Sequence, residues 1–237
     1  MLQLIKVKKT AGVFSLSIDK LEITSPGIYG LIGPNGCGKS TMAKLVSGLL
    51  IPDSGRIENF LDNRDITIIT QKPYIMDDSV FNNLAYPLRI RGIKNYQKLC
   101  DEYLEKIGFL ERKNQRARGL SGGERQKLAL LRAMIFKPRL IIADEAMTAL
   151  DIDSLDFFEK FILEEQKKDP IIWLFISHQI PQIKRLCKYI FFMYQGKIEA
   201  EGNTDDIFSS DSNLHLKHYL KTYGGENGPR ITRIFAD

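Results

Sequence analysis

The chain has 237 residues, of which 43% are hydrophobic and 27% are charged, and its formal net charge is +5 at pH 7. No run approaches the roughly 18 consecutive apolar residues that a membrane span needs, so we expect a chain that does not itself cross a bilayer. The alternating pattern at its start does not resemble a signal peptide, and its three cysteines are too widely spaced to indicate a disulfide framework or a zinc site, so we expect a cytoplasmic location.

The first two predicted strands cover residues 2–8 and 28–32, and the second runs directly into a glycine-rich loop. Residues 33–41 match the phosphate-binding pattern G-x-x-x-x-G-K-[ST] at every specified position. Glycines allow consecutive N–H groups to point at phosphate oxygens, and the following helix adds the partial positive charge of its N-terminus. Lys39 can reach the β- and γ-phosphates, and the Ser40 hydroxyl can ligate Mg²⁺. The predicted nucleotide contacts are Gly33, Pro34, Asn35, Gly36, Cys37, Gly38, Lys39, Ser40 and Thr41.

Cys37 within this loop has two interpretations. The loop N–H groups and Lys39 would lower the pKa of its thiol, which would make it reactive. Alternatively, Cys37 is a small residue that fills space, which is the interpretation we favour.

After a third predicted strand over residues 66–70, the stretch from about 72 to 120 shows helical patterns and no convincing strand. We expect it to form a helical subdomain inserted beside the sheet. Within residues 78–92 of this stretch, Val80, Phe81 and Leu84 would form an apolar patch if they are exposed, and such a patch is typical of a surface that docks another protein. The basic residues of the chain are scattered apart from one cluster within this stretch, so we expect no nucleic-acid partner. That cluster consists of Arg112, Lys113, Arg116 and Arg118.

A second possible anion site follows at residues 120–126, Leu-Ser-Gly-Gly-Glu-Arg-Gln, where a predicted helix begins. Ser121, Gly122 and Gly123 present free N–H groups at a helix N-terminus. One chain with one phosphate loop does not need two such sites, so the second would serve a nucleotide held by another copy. The alternative is that Ser121 is an N-cap that forms a capping box with Glu124.

Two later strands are predicted to deliver the reactive side chains. The apolar run 140–143 ends in Asp144 and Glu145, and an acid at the end of a buried strand needs a cation such as Mg²⁺ at Asp144. Glu145 could activate the water that attacks the γ-phosphate. The run 171–176 ends in Ser177 and His178, where His178 could contact the γ-phosphate, although a lone histidine after a strand is more often structural.

Strands and helices alternate along most of the chain, with a last apolar strand over residues 189–193. This alternation predicts an α/β fold with a mostly parallel sheet, and the turns at 52–55 and 195–197 predict additional antiparallel strands. We expect a single domain with a catalytic core and β subdomain over about 1–71 and 121–210. The helical subdomain covers about 72–120, and a C-terminal helix with a mobile tail covers 211–237.

The order of these motifs resembles the ATP-binding cassette (ABC) family over about residues 2–210. The resemblance implies that Gln71 contacts Mg²⁺ or the attacking water, and that Asp151 faces the other subunit, although Asp151 could equally cap the helix that follows. It also implies that Phe14 stacks on adenine, although Phe14 could equally be a core residue. The chain departs from the family at 146–147, where Ala-Met stands in place of the usual Pro-Thr.

From this resemblance we expect an ATPase subunit that forms a homodimer or a heterodimer with another ABC ATPase. It would lie on the cytoplasmic face of the membrane and energise separate permease subunits, with a solute-binding protein as a further possible partner. An importer of an ion or small solute is favoured, and residues 85–92 faintly resemble tungstate and molybdate importers. A soluble ABC ATPase that acts in cofactor assembly, DNA repair or on ribosomes is the alternative.

Overall fold

A computed structural model describes residues 2–59, 61–209 and 212–224, and these residues form two β-sheets flanked by helices. In chain order the elements are β1 (Leu2–Ala11), β2 (Phe14–Ile23), β3 (Gly27–Ile32), α1 (Lys39–Val46), β4 (Ser54–Asn59), β5 (Ile66–Ile69), α2 (Val80–Ile90), α3 (Gln97–Lys106), α4 (Gly122–Met134), β6 (Leu140–Asp144), α5 (Ile152–Lys168), β7 (Ile172–Ile176), α6 (Ile180–Leu186), β8 (Tyr189–Tyr194), β9 (Lys197–Asn203), α7 (Thr204–Ser209) and α8 (Leu214–Tyr223).

The larger sheet has the strand order β5-β6-β7-β3-β8-β9. Its first five strands are parallel, and β9 pairs antiparallel with β8. Strands buried on both faces are typical of parallel sheets, and all five residues of β7 are buried. Because β6, β7 and β3 are neighbours, the loops that follow them lie along one edge of the sheet. The predicted α/β class is therefore confirmed.

The smaller sheet is antiparallel, with β1 between β2 and β4. The sequence predicted β1, but it indicated β4 and β9 only through neighbouring turns, and it did not predict β2 as a strand. Gly55, the second residue of β4, has φ of 81°, and a Cβ there would lie 2.1 Å from the Lys6 carbonyl oxygen, so only glycine suits this close approach.

The apolar core fills both sides of the larger sheet. Successive strand side chains point to opposite faces, so Phe192 joins the cluster under α4 and α5, whereas Phe191 joins the cluster under α1 and the smaller sheet. The first cluster continues into α2 and α3 through Leu84 and Leu104, which are fully buried. The helical stretch therefore shares its core with the sheet.

Val80, Phe81 and Leu84 do not form an exposed apolar patch, so the docking surface predicted from them is wrong. Val80 and Leu84 are 0% exposed because their face of α2 packs on the core, and Phe81 is half-buried beside the Tyr96 ring. The exposed apolar side chains of this helix are instead Tyr86, at 44%, and Ile90, at 62%.

The C-terminal helix α8 ends at Tyr223 and packs on the sheet. The predicted mobile tail falls mostly on residues 225–237, which lie outside the described part of the chain. In the part that is described, we find no helix with the length and hydrophobicity required to cross a membrane.

Candidate active site

The loop between β3 and α1 depends on glycine at two close approaches. Gly33 has φ of 149° and Gly38 has φ of 112°. A Cβ on Gly33 would lie 2.0 Å from the carbonyl oxygen of Met193, and a Cβ on Gly38 would lie 2.7 Å from the ring of Phe14. The loop therefore fits tightly between β8 and the start of β2, and its backbone faces a cleft.

This first cleft has a volume of about 350 Å³. It brings together the phosphate loop, the aromatic residue predicted to stack on adenine and the carboxylate pair that ends β6. The lining residues are Phe14, Asn35, Gly36, Gly38, Lys39, Ser40, Thr41, Asp144 and Glu145. Phe14 is half-buried: it lines this cleft and also packs against the core cluster that contains Phe191 and Met193.

The Lys39 ammonium is held by the loop itself. Lys39 is only 9% exposed, and its Nζ donates to the carbonyl oxygens of Gly33, at 2.7 Å, and Pro34, at 2.9 Å. These neutral acceptors leave the positive charge of the ammonium uncompensated. A cation placed among free loop amides in this way is suited to bind an anion that enters the cleft.

Asp144 faces the Ser40 hydroxyl across the cleft. Burial raises the pKa of Asp144 above its ordinary value, while the hydrogen bond from Ser40 opposes that shift and the neighbouring Glu145 adds to it. A carboxylate with this environment is stabilised by a cation. Ser40 and Asp144 are oxygen donors, as Mg²⁺ prefers, and among the described residues no group of three acidic, His or Cys side chains forms a complete metal site. This donor set fits Mg²⁺ that is also bound by phosphate oxygens.

Glu145 and His178 form a direct pair across neighbouring strand ends. Glu145 Oε1 lies 2.8 Å from His178 Nδ1 and accepts from the His178 backbone N–H at 3.1 Å. The hydrogen bond with Glu145 raises the pKa of His178, and burial of the ring opposes that rise. Glu145 has φ of 53°, and its other oxygen, Oε2, is buried and has no hydrogen-bond partner.

The second predicted anion site lines a different cleft, of about 700 Å³. This cleft is bounded by the start of α4, by the residues after β5 and by the residues after β7. Its lining residues are Gln71, Lys72, Pro73, Gly122, Arg125, Gln126, Thr148, Ala149, His178 and Gln179. Gln71 is exposed and lines this cleft, not the one lined by Ser40 and Asp144.

Two predicted partner-facing residues also cap helices within the chain. The Ser121 hydroxyl accepts from the Glu124 N–H at 3.2 Å and the Glu124 carboxylate accepts from the Ser121 N–H at 2.8 Å, which is a capping box. Asp151 accepts from the Ser154 N–H at 2.8 Å and caps α5. These caps leave Gly122 and Gly123 at the helix start, and Gly122 lines the second cleft.

The pKa of Cys37 is raised, which argues against the alternative interpretation of a reactive thiol. Burial is the largest influence on this thiol, and Lys39 opposes it only in part. Cys37 is 4% exposed and therefore fills space, as the favoured interpretation held.

Gln126 is a site residue that the sequence analysis missed. It is 1% exposed, and its amide donates to the Ala146 carbonyl, so it ties α4 to the loop that follows the carboxylate pair. The available signal was a polar residue among the apolar positions of the α4 pattern.

Comparisons with known proteins agree with the motif order. A family model described as ABC transporter matches residues 16–148. The chain is 37% identical to the tungstate uptake system ATP-binding protein TupC of Peptoclostridium acidaminophilum, over 82% of this chain and 95% of that protein. It is 32% identical to the phosphate import ATP-binding protein PstB of Saccharolobus solfataricus, over 84% of this chain and 86% of that protein. A solved structure of the ATP-binding subunit of an ABC transporter shares the fold, with a TM-score of 0.79 and 22% identity over 87% of this chain and 91% of that chain.

Proposed function

The chain belongs to the ABC transporter family as an ATP-binding and ATP-hydrolysing subunit, and we propose that its hydrolysis drives the import of an oxyanion through separate membrane-spanning subunits. The observation that carries the proposal is that the phosphate loop lines one cleft, whereas Gly122 of the Ser-Gly-Gly helix start lines another. Each copy thus holds two half-sites, which two copies can join. The relatives described above are named for tungstate uptake and phosphate import, which supports an oxyanion and gives no support to the soluble alternative.

In this proposal the triphosphate of ATP enters the first cleft and draws Lys39 away from the Gly33 and Pro34 carbonyls to its β- and γ-phosphates. The loop amides bind the same phosphates, and Phe14 stacks on adenine. Ser40 and Asp144 would hold Mg²⁺, which would supply charge neutralisation of the phosphate oxygens. Gln71 lines the second cleft in this structure, so it would join these ligands only after moving toward the first cleft.

Glu145 is the proposed base. Its carboxylate accepts a proton from the attacking water, and its pairing with His178 fixes its orientation. When nucleotide is bound, His178 contacts the γ-phosphate and helps to position that water. The charge that develops during phosphoryl transfer is stabilised by Lys39 and the loop amides, so positioning and electrostatics supply most of the acceleration.

The second copy completes the site. Ser121, Gly122 and Gly123 of one copy would cap the γ-phosphate held by the other, and Asp151 would lie at the same interface, in a homodimer or with another ABC ATPase. Hydrolysis removes the phosphate that both copies bind, so the dimer opens. This cycle of closing and opening is the mechanical output.

The permease would dock on a groove between α2 and α4. This groove lies where the proposed helical subdomain, about 72–120, meets the proposed catalytic core, about 1–71 and 121–210. The groove has a volume of about 350 Å³ and is lined by Tyr74, Tyr86 and Ile90. Tyr74 is 77% exposed, and its carbonyl accepts from Arg132 at 2.6 Å. An exposed apolar groove with basic side chains fits a short amphipathic segment of a permease on the cytoplasmic face of the membrane.

Recovery of the chain from detergent-solubilised membranes tests this proposal. We expect wild type to co-purify with membrane-spanning subunits and Ile90→Asp to lose them, since an acid in the groove disfavours an apolar segment. Ile51→Asp is the matched control, because Ile51 is a 79% exposed isoleucine outside the groove. Both variants are first checked for wild-type thermal stability. Recovery of wild type only with ribosomes or DNA would reject the transporter function.

Uptake measurements test the substrate class. Cells that carry Lys39→Ala should take up less labelled tungstate, molybdate or phosphate than cells with wild type, while the uptake of a neutral solute should not change. Equal uptake of all three anions would reject oxyanion import and leave the ATPase assignment intact.

A further inference from the structure

Tyr219 reaches the catalytic edge of the sheet from the C-terminal helix. Its side chain is 4% exposed, and its ring centroid lies 5.6 Å from that of Phe192 on β8 and 4.8 Å from that of Tyr223. Its hydroxyl faces the Gly33 backbone at the start of the phosphate loop, with the Glu145 carboxylate within electrostatic range. A residue far from every recognised motif in the sequence thus lies behind the nucleotide cleft.

The end of α8 also adjoins the segment that follows His178. Gly224 caps α8, and a Cβ built on it would lie 3.7 Å from the Ile180 side chain. The helix therefore contacts both sides of the catalytic edge, through Tyr219 at the phosphate loop and through its C-terminus at α6. In this position α8 can restrain movements of the phosphate loop and of the start of α6.

The Tyr219 hydroxyl is buried and makes no hydrogen bond of ordinary geometry, although the Gly33 backbone is near enough to lower the pKa of the phenol. An unpartnered buried hydroxyl is destabilising, and phenylalanine would fill the same space without that cost. The hydroxyl therefore does not contribute a hydrogen bond of ordinary geometry to the stability of this state. Glu145 Oε2 is also buried and unpartnered, and the two groups are complementary, since a phenol donates and a carboxylate accepts.

Nucleotide binding changes the surroundings of this hydroxyl. Without nucleotide, the Gly33 carbonyl accepts from Lys39 at 2.7 Å, which holds the start of the loop against the ammonium. When Lys39 turns to the phosphates, that restraint on the Gly33 carbonyl is lost, and a hydrogen bond to the Gly33 N–H would restrain the same residue through its other backbone group. The Tyr219 hydroxyl is the neighbouring polar group that α8 supplies.

We propose that Tyr219 is a positioning residue for ATP hydrolysis, whose hydroxyl bonds between the Gly33 N–H and the free oxygen of Glu145 when nucleotide occupies the cleft. This inference rests on the proposed function of the site. Burial raises the pKa of the Tyr219 phenol and the Gly33 backbone opposes that shift, so the hydroxyl stays protonated and available as a donor. Tyr219 acts through the loop and the base and does not itself touch the phosphates.

The test replaces Tyr219 with Phe in the full chain, with Tyr223→Phe as the matched control on the same helix. Tyr223 is half-buried, and its ring contacts Tyr219. Steady-state ATPase rates and melting temperatures with and without Mg–ATP are measured for both variants and for wild type. We expect Tyr219→Phe to keep or raise the melting temperature without nucleotide and to lower kcat by about three- to tenfold, the range that one hydrogen bond corresponds to. KM should change less than kcat, and Tyr223→Phe should match wild type.

Several results would overturn the inference. One is a Tyr219→Phe variant with wild-type kcat and a wild-type thermal shift on adding Mg–ATP. Another is a variant that melts earlier without nucleotide and loses activity only in proportion to its unfolded fraction, because the hydroxyl would then be a structural group. If wild type itself shows no ATPase activity, the proposed function fails instead, so the two failures are distinguishable.

Discussion

Ser121→Ala separates the two roles that the start of α4 combines. In the chain itself, the Ser121 hydroxyl caps α4 through the Glu124 N–H at 3.2 Å. Ser79 caps α2 in the same way, through the Asn82 N–H at 3.0 Å, and neither it nor Val80 lines either cleft, whereas Ser121 precedes Gly122 of the second cleft. Loss of either cap costs about 1 kcal/mol, which lowers the melting temperature by about 2–4 °C in a chain of this size. If Ser121 also binds the partner's γ-phosphate, its loss removes a charge-assisted hydrogen bond and lowers the ATPase rate by about 10- to 100-fold.

The assay compares Ser121→Ala with Ser79→Ala by thermal melting and by phosphate release. We expect the two variants to have similar melting temperatures. Only Ser121→Ala should have a low rate of phosphate release. Mixing Ser121→Ala with Lys39→Ala then tests whether the site forms between copies, since a mixed dimer contains one intact site and about a quarter of all sites are restored. Equal activity of the two serine variants, or no recovery on mixing although mixed dimers form, would refute the shared site.

Three further predictions concern other side chains. Glu145→Gln should bind ATP, accumulate as a closed dimer in size-exclusion chromatography and release little phosphate; a wild-type rate would contradict its role as the base. The raised pKa of His178 means that, without nucleotide, its pair with Glu145 contributes full stability below the ordinary pKa of 6.5 and loses it as the pH rises through the raised value. The melting temperatures of wild type and His178→Ala should therefore differ most near pH 6 and converge at high pH, and a constant difference would exclude this linkage. Arg185→Met should lower the free energy of unfolding in urea by about 2–4 kcal/mol, because it leaves the Glu159 carboxylate, 7% exposed, with only a long contact from Gln182 at 3.5 Å, while the half-exposed Arg185 moderates the cost. Lys160→Met, which breaks an exposed pair, should cost much less, and equal costs would argue against burial as the cause.

The strands that the sequence predicted are those that the core surrounds. β6 and β7 are continuous apolar runs because helices cover both faces, and such runs are visible without any tertiary information. β2 and β9 carry charged residues and are only partly buried, so their pattern is weak. They become strands because β1 and β8 offer them partners, and that pairing is not encoded locally.

In the candidate site, too, the features predicted from sequence are local ones, and the features that were missed depend on tertiary packing. The phosphate loop was predicted from contiguous residues, because its backbone geometry depends on local glycines. The hydrogen bond between Glu145 and His178 joins residues 33 positions apart, and that from Gln126 to Ala146 joins residues 20 apart. The order of strands in the sheet brings these groups together. The sequence motifs therefore identify the residues of the site but not the hydrogen bonds between them. Tyr219 has no motif at all, so only the packing of α8 reveals it.

Without nucleotide, the main reactive groups of the first cleft are bound by groups of the same chain. Two carbonyls hold Lys39 and His178 holds Glu145, so neither charge requires a ligand for the fold to persist. ATP must therefore replace existing hydrogen bonds. Only the difference in free energy between the new hydrogen bonds and those they replace is available to drive closure of the dimer. Three details remain unfavourable in this state. Burial disfavours the charged form of Asp144 despite its hydrogen bond from Ser40, and Glu145 Oε2 and the Tyr219 hydroxyl are buried without a hydrogen bond of ordinary geometry. If binding of Mg–ATP relieves these free-energy costs, it stabilises the nucleotide-bound state beside the phosphate loop.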